Sequence, residues 1–375
     1  MPEPREILDL AYGRAEATGA TSVIGDTAIA DAVRYICRCN TRAGVRLLMA
    51  CLVAKIHQPG VDIRKPYTEI EGADCYSGRV YDESHLWDFI CKHNLPCNPT
   101  TAFLTPCLRN INQPLTCDIR LLGQPALLYE RVIQLLDYVQ NAKVTAKDLL
   151  TETIRCLIEY RNEREHQLKT LLAAVKSQER AIPLSAEAII SLLEQHLKCP
   201  KSSRLPVLIV AACYNTAKDN LGEQVLPLMA HNAADRQTGT LGDVNITLRD
   251  DEGKTITSYE MKQKPILRSD IDVALRKVTS WPERIDNYIF ITTEKTEDDV
   301  VNYAMSLYES TGGIEFVILD CISFLRHFLH FFHRLRLEFV EEYQNLILEE
   351  DESGVSHALK AAFLALRQAT ESNQF

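Results

Sequence analysis

The sequence predicts a chain of mixed class (α+β / α/β): a helical, loop-rich N-terminal domain over residues 1–200 and a mixed-sheet domain over residues 201–375. Three observations carry that expectation. Apolar residues recur at helical spacing through most of the first 200 residues. The segment 241–263 alternates with the period of two expected of a β-hairpin. Beyond Lys264 a helix, a strand, a helix and a strand follow in turn, which implies partly parallel pairing.

Length and composition set the bounds. At 375 residues the chain exceeds one typical domain, and a hydrophobic fraction of 46% with 25% charged residues is ordinary for a globular protein. No apolar run approaches the roughly 18 residues a membrane helix needs, so no membrane partner is expected. The first twenty residues carry acids early and lack an apolar core, which argues against a signal peptide and for a cytoplasmic location. The twelve cysteines fit no zinc template: Cys37 and Cys39 form C-x-C, and the rest are scattered singly. They read as reduced, small apolar residues. A net charge of -10 does not advertise nucleic-acid binding. Screening confines fields to about 10 Å, however, so a local cleft can be basic on an acidic chain.

In the N-terminal domain one helix is expected over Glu6 to Thr18, a second from Asp26, as N-cap, to Cys39, and a third ending before Pro59-Gly60. The last two are either a plain helical hairpin or a helix-turn-helix. From Val61 to Pro125 the periodicity breaks and prolines recur. This region is dense in groups able to bond bases and phosphates: Arg64, Lys65, Arg79, Asn98, Thr100, Thr101, Arg109 and Asn110. The alternative is that they cap turns within a structured loop. Helices return from Ala126 to Cys199, one of them introduced by Ser185 as N-cap, and the segment from Cys199 to Pro206 is the expected domain boundary.

The hairpin carries the chemistry. Its strands are expected over Leu241 to Leu248 and Thr255 to Gln263, around the turn Asp-Asp-Glu-Gly-Lys. Val244, Ile246 and Leu248 face a core on the first strand, and Tyr259 and Met261 do so on the second. Asp243, Asn245 and Thr247 lie on the other face, as do Glu260 and Lys262, so Asp243, Glu260 and Lys262 converge. Two carboxylates with an ammonium suit metal-dependent phosphodiester cleavage: the acids hold Mg²⁺, for which Mn²⁺ substitutes, and Lys262 orients and activates water. The alternative is a solvated hairpin face. Just downstream, Arg268, Ser269 and Lys277 are further candidates for phosphate contact, or simply helix caps and surface.

Asp243 followed by Glu260-x-Lys262 resembles the PD-(D/E)XK nucleases, the fold of most type II restriction endonucleases, with Gly242 where the motif has proline. Y-S-G-R-x-Y-D-E from Tyr76 and L-P-C-N-P-T-T-A-F-L-T-P from Leu95 are similar to the SacI-type group. The resemblance implies a type II restriction endonuclease acting on double-stranded DNA at a GAGCTC-like palindrome and leaving 5′-phosphate and 3′-hydroxyl ends. Some members place a helical glutamate beside the metal, which makes Glu223, read here as near the end of a helix, a candidate third metal ligand. A palindromic site implies a homodimer, with the apolar stretch from His327 to Val340 either at its interface or packed within the subunit. The alternatives are a repair or junction nuclease of the same fold without strict specificity and a non-catalytic DNA-binding or scaffold protein.

Overall fold

The computed structural model describes residues 2–70, 72–98, 101–119, 121, 123–176, 184–228 and 241–372, of which 251–253 in backbone only. The chain forms two compact units, Met1–His166 and Gln167–Phe375. The division falls inside a long helix, upstream of the boundary expected after Cys199.

The first unit is helical: α1 (Pro4–Thr18), α2 (Thr27–Arg38), α3 (Ala43–His57), α4 (Gly78–Tyr81), α5 (Trp87–Lys92), α6 (Ala126–Gln140) and the first part of α7 (Ala146–Lys176). Asp26 caps α2 as expected, accepting from the amides of Ala28 and Ile29. α3 is buried at every position from Ala43 to Ala54. No face of it remains for a DNA groove, so α2 and α3 are a helical hairpin around a core helix.

Among the described residues this unit buries two ion pairs, Arg155 with Glu152 and Arg46 with Asp82. Arg46, 2% exposed, pairs through Nε with Asp82, which is wholly buried. The guanidinium also donates to the Asn98 carbonyl at 2.5 Å, and Asp82 Oδ2 accepts from the Thr101 hydroxyl and the Ala102 amide at 2.6 and 2.8 Å. The acid therefore ties Thr101 and Ala102 to α3. A buried ion earns its place only when all its bonds are made.

The second unit holds α8 (Ala186–Leu197), α9 (Leu205–Leu221), β1 (Glu223–Val225), β2 (Val244–Leu248), β3 (Asp251–Lys262), α10 (Arg268–Ser280), β4 (Asn287–Thr292), α11 (Asp298–Ser310), β5 (Glu315–Asp320), α12 (Cys321–Phe331), α13 (Arg336–Glu349) and α14 (His357–Ser372). The sheet order is β1-β2-β3-β4-β5. β1, β2 and β3 pair antiparallel, and β3, β4 and β5 pair parallel. One face, carrying Val244, Ile246, Tyr259 and Ile291, packs on α9 and the C-terminal helices. The other, carrying Tyr288, Phe290 and Phe316, packs on Ile271, Ala274 and Val278 of α10 and on α11. Phe328, Leu329, Phe339 and Val340 are buried in the first of these cores, so most of the apolar C-terminal stretch packs within the subunit, with Phe331 exposed.

Three details depart from the expected hairpin. β3 begins at Asp251 rather than Thr255, because register shifts on both sides of Thr247 tighten the connection. The same shifts leave Leu248 exposed. Asn245 and Thr247, expected on a solvated face, are buried because that face is covered as well. Among the described residues no helix is long and apolar enough to cross a membrane.

Asp82→Ala strands the buried Arg46 charge, and it should lower unfolding stability in urea by about 3–5 kcal/mol. A loss under about 1 kcal/mol would mean that the pair contributes no more than a surface contact.

Candidate functional site

The site forms where β2 begins. Asp243 stands one residue before the strand, its amide donating to the Tyr259 carbonyl at 2.8 Å and its Oδ2 accepting from the Met261 amide at 2.7 Å. The carboxylate thus continues the β2–β3 ladder by a side chain. Gly242 permits the close approach: a Cβ there would meet the Tyr259 carbonyl oxygen at 2.6 Å and Ser258 Oγ at 2.5 Å. A proline, which the family motif places here, would meet the same atoms. Buried Asn245 steadies the segment, donating to the Gly242 carbonyl at 3.2 Å and accepting from the Ser258 hydroxyl at 2.9 Å.

Glu260 and Lys262 project from β3 on the α10 side, in register with Phe290 and Thr292. Lys262 Nζ lies 3.0 Å from Glu260 Oε1 and 3.8 Å from Asp270 on α10. Glu260 Oε2 accepts from the Tyr288 hydroxyl at 3.1 Å and faces Lys277 Nζ at 3.4 Å. The Tyr288 hydroxyl also lies 3.5 Å from the Leu241 carbonyl, joining β4 to the segment that carries Asp243. Asp243, Glu260 and Lys262, read from the sequence as a cluster, are thus brought together. The alternation places Asn245 on this face without giving it a role, Ser258 meets it across the same hairpin, and Tyr288 comes from β4, outside the hairpin.

Electrostatics mark Asp243 as the strained member. Its side chain is exposed, yet the protein atoms packed around it strip enough hydration to push its carboxyl above the usual range. The Glu260 charge pushes the same way, while the Met261 amide, Lys262 and Arg204 oppose it. Arg204, held by Glu350 at 2.7 Å, is a cationic neighbour that sequence reading did not supply.

Glu223 is not brought to this cluster. Gly222, at φ +70°, ends α9 in a left-handed cap, so Glu223 opens β1 instead of closing a helix. It pairs with Leu248 at the far end of β2, roughly 15–17 Å from Asp243 at strand rise. Its charge is felt by Tyr214 and Tyr259, on the face opposite Glu260.

Asp243 and Glu260 offer carboxylate oxygens, the donor type a hard divalent cation takes, and the Asp243 carboxyl is raised first by burial and further by the Glu260 charge. Among the described residues no three His, Cys, Asp or Glu side chains gather to cage an ion. Asp243 and Glu260 would hold it by two oxygens, with water and substrate phosphate completing the shell, as is common for Mg²⁺.

The candidate base readers of the first unit divide. Arg64 is bound by Asp62 and Asp137, Lys65 by Asp74, and Thr101 by Asp82. Asn98 is partly buried and gives its carbonyl to Arg46. Arg79 is exposed beside Glu83, and Arg109 and Asn110 are exposed. Thr100 lies outside the described residues. Of the candidates downstream of the hairpin, Arg268 pairs with Asp299 and lies over Tyr303, whereas Lys277 reaches the site.

No protein-family model matches this chain, and no curated protein matches it either.

Two outcomes follow. Gly242→Ala should cost about 1–3 kcal/mol through overpacking against β3 and should be read by thermal unfolding; an unchanged melting temperature would show that β2 and β3 part freely there. Asp243→Asn keeps the acceptor for Met261 and removes the charge. A carboxyl raised by folding favours the folded state fully below its unfolded pKa and loses that contribution as pH rises through the folded value. The variant should therefore melt slightly higher than the parent in metal-free buffer at pH 7, with the gain shrinking as pH falls through the ordinary carboxylate range. A gain that grows towards acid would reverse the assignment.

Proposed function

We propose that this chain is a divalent-metal-dependent endonuclease of the PD-(D/E)XK kind, hydrolysing double-stranded DNA to leave 5′-phosphate and 3′-hydroxyl ends. The observation that supports it best is the meeting of Asp243 with Glu260 and Lys262 at one end of a sheet whose antiparallel β1–β3 meander is followed by two helix-bearing parallel connections.

Bound Mg²⁺ or Mn²⁺ would supply Lewis-acid stabilisation of phosphate charge and lower the pKa of water. Asp243 offers an oxygen beyond the one fixed by Met261 and, with Glu260, forms the anionic seat. Lys262, two residues along the strand from Glu260, orients the attacking water and favours its hydroxide form.

The finer reading is site-specific restriction of a GAGCTC-like palindrome by a homodimer in the cytoplasm. It rests on the SacI-type resemblance from Tyr76 and Leu95, and it assigns base reading first to the exposed Arg79, Arg109 and Asn110. A repair or junction nuclease of the same fold is favoured by the internal bonding of Arg64, Lys65 and Thr101, which takes three candidate readers away from DNA.

Plasmid DNA incubated with the protein and Mg²⁺ should be cut. Asp243→Ala and Lys262→Ala should each slow cutting by about 10³-fold or more, given the several kcal/mol that metal and charge stabilisation supply. Chelation should stop cutting, and Ca²⁺ should support binding with little turnover. Discrete fragments support restriction, and smears or nicks support the repair reading. Full activity in EDTA, or in both variants, removes this site from the chemistry.

A further inference from the structure

Lys277 is a feature the proposed mechanism leaves unused. It sits on α10, between Ala274 and Val278 of the stripe that seats this helix on the sheet, so its backbone is fixed while its side chain, 23% exposed, reaches Glu260. Its ammonium lies 3.4 Å from Glu260 Oε2, and Lys262 occupies Oε1 at 3.0 Å. One carboxylate thus carries an ammonium on each oxygen and the Tyr288 hydroxyl besides. Two lysines around one glutamate exceed what that acid needs. Nor is the arrangement a surface pair, since Glu260 is only 17% exposed.

We propose that Lys277 is a phosphate-contacting residue of this site, held on Glu260 until nucleic acid enters and then bonded to a backbone phosphate beside the scissile bond. The inference rests on the nuclease reading and assigns the second cation that such a cleft requires. Glu260 and Asp270 both face Lys262, at 3.0 and 3.8 Å, so an anionic diester approaching that lysine meets acids beside it. Among the described residues Lys262 and Lys277 are the ammonium groups paired with Glu260. A divalent cation held by Asp243 and Glu260 would compete with Lys277 for Glu260, which would release the ammonium to bond a phosphate. The α10 anchor keeps it there.

The test compares wild type, Lys277→Gln and Lys277→Arg by binding of a DNA duplex in Ca²⁺ over a range of salt, with single-turnover cleavage in Mg²⁺ as the second readout. Lys277→Gln should bind more weakly, with its dependence of log K on log salt reduced by about 0.9, the value of one phosphate contact, and should cleave about 10²-fold more slowly. Lys277→Arg should retain the wild-type salt dependence. Binding and salt dependence unchanged in Lys277→Gln, with melting temperature preserved, would overturn the proposal and leave Lys277 as a partner of Glu260 only. If wild type binds and cuts DNA while this variant matches it, only the Lys277 assignment fails. A wild-type chain that neither binds nor cuts defeats the nuclease reading and this inference with it.

Discussion

The hydrogen bond from the Met261 amide to Asp243 is the contact on which the site depends. β2 starts at Val244, so beyond that point β3 has an edge amide with no strand partner, and an unpaired amide in a packed sheet is costly. A carboxylate fills the gap. This fixes one oxygen of Asp243 with the precision of a backbone ladder and leaves the group anchored beside Glu260. The tight fit at Gly242 and the Asn245–Ser258 bond serve the same end, since each holds the segment close enough for the side chain to act as the last rung.

Around that anchor, charge is arranged so that like charges sit close and unlike charges balance them. Burial and the nearby Glu260 charge disfavour the ionised form of Asp243, while lysines on β3 and α10 and the hydroxyl of Tyr288 bond the Glu260 carboxylate. A fold under selection for stability alone would have no use for this crowding, because apolar residues in the same volume commonly do as well or better. Perturbed carboxyls in a cleft are instead what functional sites display.

The sequence made part of this legible. Period-two alternation placed Val244, Ile246, Tyr259 and the three polar site residues on their faces, because side-chain direction along a strand follows from backbone geometry. Asp26 and Ser185 marked helix starts by the same local logic. Long-range effects were not legible. Alternation put Asn245 and Thr247 on the polar face but did not reveal that both are buried there. Glu223 read as helical until Gly222, in a left-handed turn, ended α9 before it. Arg64 and Lys65 have the chemistry of DNA-binding residues, and only the folded loop reveals Asp62, Asp137 and Asp74 beside them.

The order in which the site's parts occur along the chain has a consequence for synthesis. Asp243, Glu260 and Lys262 emerge from the ribosome before α10 and β4, which bring Lys277 and Tyr288 to Glu260. A nascent chain ending near Lys264 would carry the whole acidic motif with Glu260 facing Lys262 alone, and the sheet's parallel half would still be missing. Glu260 gains its second ammonium only with α10 and its hydroxyl donor only with β4, so its full set of partners depends on segments that follow the motif in the chain.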